Sequence, residues 1–117
     1  MEEILAMASR LGKMISQTDR FEALRKAEKD ALADKDAQTA LKELQEMENR
    51  IAEKEKAGQP IEVEEKHRLA ELQERVREND TLWKLAQAQA DYMELLNRVN
   101  QSVHQHLKLD RNKEKED

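Results

Sequence analysis

The chain has 117 residues, of which 40% are charged and 3% aromatic, with a formal net charge of −5, two glycines, one proline and no cysteine. The missing cysteines exclude disulfides, thiolate metal centres and a thiol nucleophile. The acidic balance, with bases interleaved among acids, does not supply the cationic surface that displaces counterions from nucleic acid.

Ala, Leu, Glu, Lys, Gln and Arg dominate the composition. These strong helix formers predict an all-α fold, since a sheet needs more β-branched and aromatic side chains. No run approaches the ~20 apolar residues of a membrane span. The acidic opening Met1-Glu2-Glu3 leads into no signal-peptide pattern, which points to the cytoplasm.

Ile4, Ala8, Leu11 and Ile15 fall on one face of a first helix, with Met7 and Met14 on its flank. Gly12 interrupts this pattern at a cost of about 1 kcal/mol relative to Ala. Ser16, Thr18 and Asp19 supply capping oxygens, and Asp19 followed by Glu22 reads as the next helix start. The second stripe, Phe21, Leu24, Ala27, Ala31 and Leu32, is thinner, and a break or bend is predicted between Ala33 and Asp36. Ala37, Leu41, Leu44, Met47 and Ile51 carry a third helix to about Lys56.

Gly58-Gln59-Pro60 is the clearest breaker, because Gly58 can end a helix in the left-handed region and Pro60 cannot continue one. Helical patterning resumes at Leu69, Leu72 and Val76. The short loop predicts a long antiparallel helical hairpin or bundle, with its tip near 57–61, in a single helical domain over 1–109. After the capping set Asn79-Asp80-Thr81, Leu82, Leu85, Gln89, Tyr92, Leu96, Val99, Val103 and His106 follow at alternating steps of three and four, which is heptad spacing. The apolar-free stretch 110–117 is predicted to be a disordered charged tail.

No constellation carries chemistry. His104 and His106 are two apart and point about 200° apart on a helix, so they cannot share a metal, and His67 stands among charges. Glu62, Glu64 and Glu65 suit a solvated helix N-terminus. Two glycines so far apart form no phosphate loop, and Ser9, Ser16 and Ser102 have no activating context. Catalytic, cofactor-binding and metal-ligating residues are therefore not expected. The candidate site is a protein interface comprising Leu82, Trp83, Leu85, Tyr92, Leu96, Val99 and Val103. A second copy could cover this seam, making a homodimer, and the chain's own stripes are the competing cover. Trp and Met suit interface anchors as well as cores.

Three groups of residues together resemble the YlbF/YmcA family of small bacterial helical proteins, which includes YheA-like members. They are Leu11-Gly12, Ile15, Thr18, Phe21, Ala27, Leu32, Asp34, Ala37-Gln38, Leu41 and Leu44-Gln45; the Gly58-Gln59-Pro60 break; and Asn79, Leu85, Ala88, Tyr92, Leu95-Leu96 and Val99-Asn100. The resemblance spans about residues 4 to 107. It implies a long helical hairpin, a homodimer or a hetero-oligomer with family paralogues, and regulation through protein contacts rather than catalysis. Characterised members act in complexes that influence competence, biofilm formation and sporulation and that modulate RNA processing by ribonuclease Y. Iron–sulfur clusters linked to cysteines in some members do not carry over to a chain without cysteine. The alternatives are an RNA-binding accessory factor and a YheA-like protein of unknown role, with an enzyme using the carboxylates a more distant third.

Overall fold

The computed structural model describes the backbone of residues 1–116 and the side chains of residues 1–107. Five helices follow one another: α1 (Glu2–Ser16), α2 (Asp19–Ala33), α3 (Lys35–Lys56), α4 (Val63–Glu78) and α5 (Asp80–Glu116), with no strand among the described residues. The protein is all-α. The expected disordered tail at 110–117 lies outside the described side chains.

Each break has a local chemical cause. The Thr18 hydroxyl accepts the Phe21 N–H at 3.3 Å, so Thr18 is the residue that starts α2; Asp19, the predicted start, is its first helical position. Asp34 ends α2 and starts α3, its carboxylate accepting the Ala37 N–H at 3.1 Å. Asn79 does the same between α4 and α5, accepting the Leu82 N–H at 2.9 Å. At the end of α3, Gly58 takes a φ of +69°. The Gln59 and Gly58 N–H groups then bond back to the Lys54 and Glu55 carbonyls, at 2.9 and 3.2 Å. This is the Schellman arrangement, which satisfies carbonyls the helix would otherwise orphan.

The chain forms two compact units, Arg25–Ala86 and Met1–Leu24 with Gln87–Asp117. In the first, α3 and α4 are antiparallel: Lys54 pairs with Glu65, Glu43 with Arg68 and Arg75, and Asp36 with Arg75. The core of this unit is built on small residues. Ala31, Ala37 and Leu82 cluster with Val76 and Leu85 packed against them, Ala40 is fully buried, and Leu72 is the largest fully buried side chain. Alanines at these positions let helix backbones approach closely. In the second unit Phe21 and Tyr92 meet at 5.8 Å between ring centroids, tilted by 53°. Arg20 donates to the Asp91 carbonyl at 3.1 Å beside them.

Candidate protein interface

The most unusual surface belongs to α1. Its sequence is a good helix, with Glu2 and Glu3 at the positive end of the dipole and Lys13 at the negative end. The Ser16 and Thr18 hydroxyls donate to the Lys13 and Ile15 carbonyls, both at 2.7 Å. Yet none of its residues is buried. Ile4 is 69% exposed, Met7 68%, Leu11 37% and Met14 61%, and Leu5 is also in solvent. Positions 4, 7, 11 and 14 are spaced three and four apart, as in the a and d positions of a heptad. The sequence pattern puts Ile4 and Leu11 in a core stripe with Met7 and Met14 on its edge. In the structure all four form one solvent-facing seam, and the 4-7-11-14 spacing is the signal for it.

The seven residues singled out on the last helix divide. Leu82 is buried with Ala31 and Ala37, Leu85 packs against that cluster, and Tyr92 meets Phe21. Leu96 and Val99 are half-buried. Trp83 is 57% exposed and Val103 52%, and Leu107, one turn further along, is 64% exposed. The proximal part of the seam is thus engaged within the chain, and its distal part and Trp83 face solvent.

The charged surface of the hairpin is organised in pairings that the sequence pattern does not reveal. Glu43 on α3 accepts from Arg75 at 2.9 Å and from Arg68 at 3.4 Å, and Arg75 also donates to Asp36 at 3.1 Å. Hydrogen bonding to Asp36, aided by the charge of Glu43, holds the Arg75 guanidinium above its ordinary pKa. Nearer the tip, Glu65 accepts from Lys54 and from the Glu62 N–H, the latter at 3.2 Å, with Arg50 Nε 3.8 Å from its other oxygen. Lys54 first, then the Glu62 N–H, hold this carboxyl below its ordinary value. Thr81 first, then the Ala37 N–H, do the same for Asp34. These carboxylates are held ionised, the opposite of the raised pKa a general acid requires.

A shallow concavity on α5 is lined by Asn97, Asn100, Gln101, His104 and Gln105. Its lining is amides and one imidazole, with no carboxylate among them. Among the described residues no group of three or more His, Asp or Glu side chains converges to hold a metal ion. None of the described helices is long and apolar enough to cross a membrane.

Residues 4–108 match the family described as control of competence regulator ComK, YlbF/YmcA. The chain belongs to the YlbF/YmcA family. It is also similar to the UPF0342 protein LBA1592 of Lactobacillus acidophilus, 28% identical over 102 residues that cover 87% of this chain and 88% of the relative. The YlbF/YmcA match takes in nearly all of α1 as well as the hairpin, so the exposed seam of α1 lies inside the family region.

Proposed function

We propose that this chain is a non-enzymatic, cytoplasmic regulatory or adaptor protein that works through helix-mediated protein–protein contacts and self-associates. The family to which it belongs is linked by its description to control of a competence regulator. The observation that carries the reading is the exposed apolar seam of α1, with Ile4, Met7 and Met14 in solvent; Trp83, in the other compact unit, is a separate exposed residue. Large apolar side chains concentrated in solvent mark interaction sites in soluble proteins. The partners that fit are a second copy and helical family paralogues. By resemblance, a ribonuclease-associated complex is the assembly in which such contacts would operate.

Direct RNA binding is the rival. Against it stands the balance of 26 acidic to 21 basic residues, with Arg68 and Arg75 engaged by Glu43 and Asp36. Filter binding with RNA over a salt series decides between the two. Negligible retention at physiological salt is expected; tight retention with a steep salt slope would replace the adaptor reading. The positive test is affinity capture from the source cell with the tagged native chain and with Trp83→Ser. The adaptor reading expects a defined protein set that the native chain retains and the variant loses.

A further inference from the structure

All the sulfur in this chain is thioether sulfur, because the sequence holds five methionines and no cysteine. Their placement is uneven. Met7 and Met14 stand in solvent on α1, a helix with no buried residue, and Met1 and Met93 are exposed as well. Met47 is half-buried and lines the cleft between α3 and α4 with Leu72. None of the five belongs to the buried core. Along the α1 seam of Ile4, Met7, Leu11 and Met14, every second member is therefore open to oxidation and the members between are inert.

We infer that Met7 and Met14 are reversible oxidation sites through which a peroxide releases the contacts made by α1. The inference rests on the reading of α1 as a contact surface and adds a chemical control to it. The thioether sulfur attacks one oxygen of hydrogen peroxide. An S–O bond forms, the O–O bond breaks, and the second oxygen leaves as water with both protons. The sulfur loses two electrons and the peroxide gains them. A dithiol-dependent sulfoxide reductase reverses the change, its two thiols becoming a disulfide while the oxygen leaves as water. The sulfoxide is a polar hydrogen-bond acceptor in place of an apolar group. In the free chain water satisfies it, and with no buried residue on α1 the packing of the chain is undisturbed. In a contact it enters an apolar seam whose other members, Ile4 and Leu11, offer no donor, and a buried acceptor without a donor opposes association. The oxidant reaches both sulfurs in the free form, so the reaction draws the population toward that form by mass action. Met7 and Met14 are seven residues apart and share one face of the helix, so both act on the same contact.

The full chain is treated with hydrogen peroxide, oxygen uptake is mapped by peptide mass spectrometry, and association is read by sedimentation equilibrium before and after. Met7 and Met14 are expected to gain one oxygen each ahead of Met47. Association should weaken at least about tenfold, with the far-UV circular dichroism unchanged, and sulfoxide reductase with a dithiol should restore it. The Met7→Leu/Met14→Leu chain still contains Met1, Met47 and Met93 and should hold its association through the same treatment, since leucine matches methionine in size and resists peroxide. Met93→Leu should leave the response as in the native chain. Oxidation of Met47 as fast as Met7 and Met14 overturns the assignment of the sites. An oxidised native chain that associates as before, or a Met7→Leu/Met14→Leu chain that peroxide dissociates equally well, overturns the switch while self-association stands. A native chain that is monomeric before treatment overturns the self-association reading and the switch together, and the mapping still decides whether Met7 and Met14 are the preferred sites.

Discussion

Lys54 donates to Glu65 across the hairpin, and Arg50 Nε lies 3.8 Å from the second oxygen of the same carboxylate. Glu65 is the buried charged residue among the described side chains, so its partners decide whether its burial is tolerated. Lys54→Met is expected to lower the melting temperature by several degrees, because the carboxylate stays while its main donor goes. Lys54→Met combined with Glu65→Leu should recover most of that loss, since removing both partners leaves no uncompensated charge. A thermal melt of both proteins checks the asymmetry.

The same pair sets a pH dependence. The Glu65 carboxyl is held below its ordinary value, mainly by Lys54, and so is that of Asp34, mainly by Thr81. A carboxyl depressed in the folded state binds its proton more readily when unfolded. Its stabilisation is therefore complete above the ordinary carboxylate range and is lost as pH falls through the lowered folded value. Urea midpoints should hold steady from neutral pH down to the ordinary carboxylate range and fall below it. In Lys54→Met part of that acid-dependent loss should disappear.

The two glycines should respond with opposite sign. Gly58 adopts a φ of +69°, where a Cβ is strained whatever the space around it, so Gly58→Ala should cost about 1 kcal/mol. Gly12 lies within α1, and a Cβ added there would meet nothing within 4 Å. Gly12→Ala should therefore favour the helix by up to about 1 kcal/mol. Helicity by circular dichroism reads the second change, and the denaturant midpoint reads the first.

The five-helix order was legible because its punctuation is local. Thr18, Asp34, Gly58 and Asn79 act within three or four residues of themselves, and residue type is enough to find them. Partners were not legible, because helical periodicity shows that a face is apolar without showing what covers it. Leu82 and Val103 stand on one regular seam, yet Leu82 is buried with Ala31 and Ala37 and Val103 is exposed. The ladder of Asp36, Arg75, Glu43 and Arg68 was hidden for a related reason. Its members are 25 to 39 residues apart, and in a chain rich in both charges many pairings are equally compatible with the sequence.

The alanine core offers a sharp packing test. Ala37 and Ala40 are fully buried, and Ala31 nearly so, in the region where α2 gives way to α3. A larger side chain there must push helices apart, so Ala37→Leu should destabilise by about 1–3 kcal/mol even though leucine is the better hydrophobe. The exposed side of the same helix should respond differently. Lys42 faces solvent on α3, and Lys42→Leu should change stability by no more than about 0.5 kcal/mol. Chemical denaturation of the two variants separates overpacking from hydrophobicity.

Leu82 and Trp83 are consecutive on α5 and should behave as opposites. Leu82 is buried in the cluster with Ala31 and Ala37, so Leu82→Ala should cost about 2–5 kcal/mol through lost transfer energy and the cavity left behind. Trp83 is 57% exposed, and Trp83→Ala should change the stability of the isolated chain by no more than about 0.5 kcal/mol. Its effect belongs to association, where Trp is a favoured anchor. Because Trp83 is the chain's single tryptophan, its fluorescence reports this directly. Emission from the free chain should be that of a hydrated indole and should shift to the blue when a partner covers it. A spectrum already blue-shifted in the free chain at nanomolar concentration would place Trp83 inside the fold and remove it from the interface.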